Sequence, residues 1–113
     1  MTEKIKIGDI DVPMKANGAT LFYYRDKFGR DLLEDMNKIT LSEITGESIM
    51  CLQQLAFIMA KQADDTIPDF LEWLDSFDTF PFDEIAIPVV TLWQKSSIST
   101  SAQKNAVSRR KGK

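Results

Sequence analysis

The chain has no histidine. That removes the usual general base near neutral pH and the commonest metal ligand. Ser–His–Asp and Cys–His catalysis are excluded with it. A single cysteine, Cys51, rules out an internal disulfide and a cysteine zinc cluster. In the sequence it reads as a small buried apolar residue. No apolar run approaches the roughly 18 residues needed to span a bilayer. The N-terminus, MTEKIKIGDI, lacks the long apolar segment of a secretory signal, so the expected location is a cytoplasm. Bases are missing from the middle of the chain. Between Lys61 and Lys95 there are none, against eight acids: Asp64, Asp65, Asp69, Glu72, Asp75, Asp78, Asp83 and Glu84.

What is present is one domain's worth of chain, 113 residues, with apolar and charged fractions ordinary for a globular protein. The net charge of −3 divides into about +5 over residues 101–113 and −8 before them. An acidic body over residues 1–98 and a basic tail over 99–113, Ser/Thr-rich at its start, are therefore expected. The acids could suggest a cation site. Calcium, however, takes oxygens from a tight loop turning on a glycine, and this stretch has no glycine. A solvated acidic face is the simpler reading. No cofactor or metal site is expected. Adjacent carboxylates, Asp64 with Asp65 and Asp83 with Glu84, lack any accompanying nucleophile or phosphate loop, so an enzyme is not expected.

Residues 3–14 read as a hairpin turning at Gly8-Asp9. Ile7 then faces Ile10, Ile5 faces Val12 and Glu3 faces Met14, with the apolar pairs on one side. Lys6 and Asp11 meet on the other. Asn17 can cap a helix beginning near Gly18, with Leu21, Tyr24 and Phe28 on one face and Phe22 and Arg25 on its flanks. Gly29 suits a left-handed C-terminus. Asp31 and Glu34 restart a helix carrying Leu32, Leu33, Met36 and Ile39. Two short helices bent at Gly29 are expected, one kinked helix being the alternative.

Residues 40–47 form a connection. A long helix from Ser48 to about Asp64 follows, with Ile49, Leu52, Ala56, Met59 and Ala63 in register and Cys51, Leu55 and Ile58 widening the stripe. Phe57 falls near its far face. So much apolar girth marks the spine of the core. The next helix is expected from Pro68, capped by Thr66, with Phe70, Trp73, Leu74 and Phe77 on one face and Asp69, Glu72 and Asp75 on the other. The last, Phe82 to about Ser97, carries Ile85, Ile87, Val89, Val90, Leu92 and Trp93, and Pro88 should kink it or delay its start. The fold class is α+β, mostly α: an N-terminal hairpin on four to five helices.

The stretch Ile67 to Phe82, IPDFLEWLDSFDTFPF, holds five of the eleven aromatics. Phe70, Trp73 and Phe77 fit a core face. Phe80 and Phe82 flank Pro81 in a turn and, if exposed, would make a binding patch.

In order, KIKIGDIDVPM, FYYRDKFGRDLLEDM, a long helix, DFLEWLDSF and LWQKS with a Ser/Thr-plus-basic tail resemble the tail assembly chaperones of long-tailed phages and prophages of Gram-positive bacteria. The aromatic–basic–FG–DLL run is the nearest point of likeness, and the match covers nearly the whole chain. The resemblance implies a protein that binds the tape measure protein, keeps its helical apolar segments soluble and brings major tail (tube) protein subunits to it. It also implies action in the host cytoplasm, absence from the mature virion, and in many relatives a longer frameshifted form. Trp73, Phe77, Phe80 and Phe82 are the expected apolar contacts, in a helix-in-groove mode. The acids around them would attract basic segments. A homo-oligomer is compatible with this role, a membrane partner is not expected, and nucleic acid is disfavoured. The alternative is a small nucleic-acid-binding accessory protein using its basic C-terminal tail.

Overall fold

A computed structural model describes residues 1–97; the expected tail, and Ile98 before it, lie outside the described residues. The architecture is α+β and mostly α: β1 (Thr2–Ile7), β2 (Ile10–Lys15), α1 (Thr20–Phe28), α2 (Leu32–Met36), α3 (Gly46–Ala63), α4 (Phe70–Asp75) and α5 (Phe82–Ser97).

The hairpin has the register its alternation dictates, with Ile7 opposite Ile10, Ile5 opposite Val12, Lys6 opposite Asp11 and Glu3 opposite Met14. Ile5, Ile7, Val12 and Met14 are buried, while Lys6 and Asp11 pair at 3.6 Å in solvent. Ile10 departs from expectation. It pairs correctly but stays exposed beside the turn, beyond the reach of the core. Gly8 has φ +61° and, among the described residues, no non-glycine residue has a positive φ, the pattern of a turn with glycine at its first central position. A side chain there would also meet the Thr79 hydroxyl, 2.9 Å from an ideal Cβ. The hairpin tip thus rests on the turn before α5. Its apolar face is covered by α3 against β2 and by α5 against β1.

The spine is α3. It packs against β2 and every other helix. Thr45 caps it by accepting from the Ser48 amide at 3.1 Å, and the Ser48 hydroxyl accepts in return from the Thr45 amide at 3.2 Å. Helix α3 therefore starts at Gly46, before the expected Ser48. Leu52, Leu55, Ala56, Ile58, Met59 and Cys51 are buried on one side and Phe57 on the other. A helix buried around this much of its girth needs cover from several directions, and each neighbour supplies one.

Around it, Gly29 ends α1 with φ 66° and its amide donates to the Arg25 carbonyl at 2.8 Å. Asp31 caps α2 through the Leu33 amide. Two helices with a break at Gly29 is the observed arrangement. Helix α1 begins at Thr20 instead of near Gly18, because Asn17 forms a preceding turn, its side chain accepting from the Ala19 amide at 2.9 Å. Helix α2 is five residues long and stops before Ile39; in so short a helix Leu32 and Leu33, about 100° apart, do not share a face, and Leu33 is exposed. Helix α4 starts at Phe70, not Pro68. Its cap is Asp69, and Thr66 instead donates to Asp64 at 2.6 Å. Helix α5 runs unbroken from Phe82 with Pro88 inside it, so the proline does not delay its start; Ile87 faces solvent.

Candidate functional site

The four residues expected at the binding surface are at most partly accessible. Trp73 and Phe82 are buried, and Phe77 and Phe80 are half-buried against the core. The reason is ring packing. Trp73 meets Phe57 of α3 at 5.6 Å, Phe77 at 5.0 Å and Phe80 at 6.1 Å between centroids. Phe57 also meets Phe70 at 5.4 Å, and Phe70 meets Phe28 of α1 at 5.1 Å. Most of these contacts are edge-to-face, each contributing about 0.5–1.5 kcal/mol beyond its buried area. A helix as short as α4 is not stable alone. The aromatics fasten it to α3. Lys27 pairs with Asp69 across from α1, and Lys61 donates to the Asp65 and Ile67 carbonyls at 2.9 and 2.8 Å. Of the acids in this base-free stretch Asp69 thus acquires a base in space, and Lys27 holds its carboxyl below the usual carboxylate range.

A polar centre that the residue pattern does not advertise lies at the α1–α2 elbow. Asp35 is 1% exposed. Arg30 grips it with two bonds of 2.7 Å, from Nε to Oδ2 and from Nη2 to Oδ1. The Tyr24 hydroxyl donates to Oδ2 at 2.7 Å, and Lys38 Nζ stands 3.7 Å from Oδ1. Tyr24 has one proton and gives it to Asp35. The Gln54 atom 2.9 Å from the phenol oxygen is Oε1, so Gln54 donates there only with its amide turned to bring in the NH2 group. Arg30 holds the Asp35 carboxyl below its ordinary range, against the upward push of burial. Burial and then the Asp35 hydrogen bond drive the Tyr24 phenol far up. Burial also raises the nearby Cys51 thiol. Such a set holds a shape. Its carboxylate is committed to three partners and its thiol is buried, so it offers neither a free base nor an accessible nucleophile.

Comparison with family models, with curated proteins and with solved structures found no match for this chain. The site is therefore judged on its own residues. Among the described residues, no group of three or more acids or cysteine could hold a metal ion, and no helix is long and apolar enough to cross a membrane.

Two clefts flank α1. The larger, about 600 Å³, lies between α1 and α3. Phe57 and Ile58 lie at its floor, the exposed Tyr23 forms one wall, and Lys15, Lys27, Lys61, Asp26 and Asp65 make a rim of both signs. Its inner end is tied by a chain of bonds in which Thr20 donates to the Gln62 carbonyl oxygen at 2.7 Å and Gln62 donates to Asn17 at 3.1 Å. The smaller cleft, about 310 Å³, sits in the elbow between Leu21, Phe22, Arg25, Arg30, Asp31 and Leu33. Phe22 and Leu33 are 55% and 54% exposed there. The run FYYRDKFGRDLLEDM thus divides by direction. Tyr24, Gly29, Arg30, Leu32 and Asp35 lock the fold, while Phe22, Tyr23, Arg25, Lys27 and Leu33 face the clefts or solvent. Period 3.6 gives part of that division from sequence, since Phe22 and Tyr23 fall away from the Tyr24 face.

Proposed function

We propose that the protein is a tail assembly chaperone that holds amphipathic helical segments of the tape measure protein and presents them to major tail protein subunits in the host cytoplasm. It works by binding, without catalysis or cofactor, and leaves before the virion is complete. The observation that carries this reading is the α1–α3 cleft: an apolar floor, an aromatic wall and a charged rim, to which the segment that most resembles that family contributes Tyr23, Asp26 and Lys27. A helix laid in it would set its apolar face against the exposed Tyr23 and keep its polar face toward the lysines and acids of the rim. The core occupies Trp73 and Phe82, so the exposed Tyr23 replaces them as the expected contact.

Co-expression with tape measure fragments tests it. Tyr23→Asp is expected to lower the soluble fraction of the fragments several-fold while the variant itself stays folded. Fragments kept equally soluble by Tyr23→Asp would count against the cleft. Deleting residues 101–113 distinguishes the alternative: a chaperone retains fragment binding, whereas a DNA-binding accessory protein loses its salt-dependent DNA affinity.

A further inference from the structure

The rim of the α1–α3 cleft carries charges of both signs, but they are not equally available. Lys27 is paired with Asp69, outside the cleft. Lys61 turns donors to the Asp65 and Ile67 carbonyls at 2.9 and 2.8 Å, closing the turn after α3. Lys15 forms no ion pair among the described residues, but it is half-buried at the end of β2. The acids are the reverse. Asp26 and Asp65 are both exposed, and neither forms an ion pair among the described residues. Asp26 stands three residues after Tyr23, on the same side of α1, so an exposed phenol ring and an unpaired carboxylate line the cleft together. The net charge of −8 before residue 101 adds a field of the same sign.

An exposed aromatic ring beside unpaired carboxylates is a receptor for a cation. The ring face attracts an ammonium or guanidinium within about 6 Å of its centroid. A carboxylate takes the same group through charge-assisted hydrogen bonds. Resting on the reading that this cleft holds helices, we infer that it selects cationic ones: a lysine or arginine beside the apolar stripe of the bound helix crosses the Tyr23 ring and ends on Asp26 or Asp65. Contact with Tyr23 alone favours any amphipathic helix, because apolar contact does not read charge. Asp26 and Asp65 supply the choice. A helix of the same shape with acids in those places would set like charges together, while Lys27 and Lys61 are already engaged elsewhere.

Fluorescence anisotropy with the full chain and three labelled peptides tests this. The peptides, each about 20 residues long, share one leucine stripe and carry lysine, glutamine or glutamate beside it. The lysine peptide is expected to bind about tenfold tighter than the glutamate peptide at low salt, with the gap closing as salt rises. Asp26→Lys combined with Asp65→Lys should reverse that order. Both sites are exposed, and circular dichroism checks the fold. The control with the same change in net charge is Asp75→Lys combined with Asp78→Lys, near the 72% exposed Leu71 of α4 and outside the cleft. It should keep the wild-type order; reversal there would trace the preference to net charge and overturn the inference. Equal binding of the lysine and glutamate peptides, with the glutamine peptide weakened by Tyr23→Asp, also overturns it but leaves the helix-holding reading standing. Binding of no peptide, with or without residues 101–113, overturns both. A lysine peptide that binds only once residues 101–113 are removed assigns the cleft to the chain's own basic end and sinks the inference as well.

Discussion

The elbow and the aromatic stretch both close the same spine, and they do it with opposite chemistry. At the elbow, one buried carboxylate gathers Arg30, Tyr24 and Lys38 and sets α1 and α2 at a fixed angle on α3. Between Ile67 and Phe82, rings at 5–6 Å do the holding, and the acids stay in water. The difference teaches where specificity sits. A ring cluster tolerates small shifts, because apolar contact has no direction. A bidentate arginine on a carboxylate accepts one geometry. The elbow is therefore the part of the molecule whose outer surface is held most exactly in place, and both clefts border α1 there.

The sharpest way to break the comparison is to charge the aromatic side. Phe82→Asp should leave no folded protein in circular dichroism, because an unpaired carboxylate would replace a buried ring at the start of α5. At the elbow, Asp35→Ala should cost about 3 kcal/mol in urea unfolding, at the lower end for a broken buried pair, since Arg30 is 39% exposed and can rehydrate. The same variant reads out pH. The folded-state pKa of Asp35 is depressed, so its contribution is present above the unfolded carboxyl pKa and is lost as pH falls through the folded value. Wild-type stability should drop on acidification below about pH 4, and Asp35→Ala should show a shallower acid limb.

Where the two regions differ less, so should the effects. Gly8→Ala should cost about 1–2 kcal/mol, from the left-handed backbone and the approach to Thr79. The close approach is to a side-chain oxygen that can rotate, which keeps the effect modest. Lys27→Ala, which removes an exposed ion pair between the two regions, should leave the unfolding midpoint unchanged within error.

Much of this was legible in the residues because local rules decide it. Alternation across a Gly-Asp turn settles the hairpin register, the Gly29 break follows from the need for a positive φ, and the girth of α3 marks it as the spine. Three features were not. Asp35 in LLEDM looks like a surface acid; only its placement three residues after Leu32, on that residue's buried face, hints otherwise, and its partner Tyr24, with Gln54 beside the phenol, arrives from another helix. Phe80 and Phe82 look exposed because they flank a proline in a turn, but Phe80 packs edge-on to Trp73 and Phe82 is buried at the start of α5. Leu71 disappears into an aromatic-rich run, although the helical projection sets it about 160° from Trp73, on the acid side.

The central claim is that the aromatic stretch is core, and acrylamide quenching of Trp73 tests it directly. Trp93→Phe isolates the signal, and it should be a mild change, because the buried Trp93 indole N–H has no hydrogen-bond partner to lose. In that variant Trp73 should emit at the blue end of the tryptophan range and resist quenching until the protein unfolds. Red-shifted emission quenched as freely as that of a tryptophan in a peptide would contradict the account and return Trp73 to the surface.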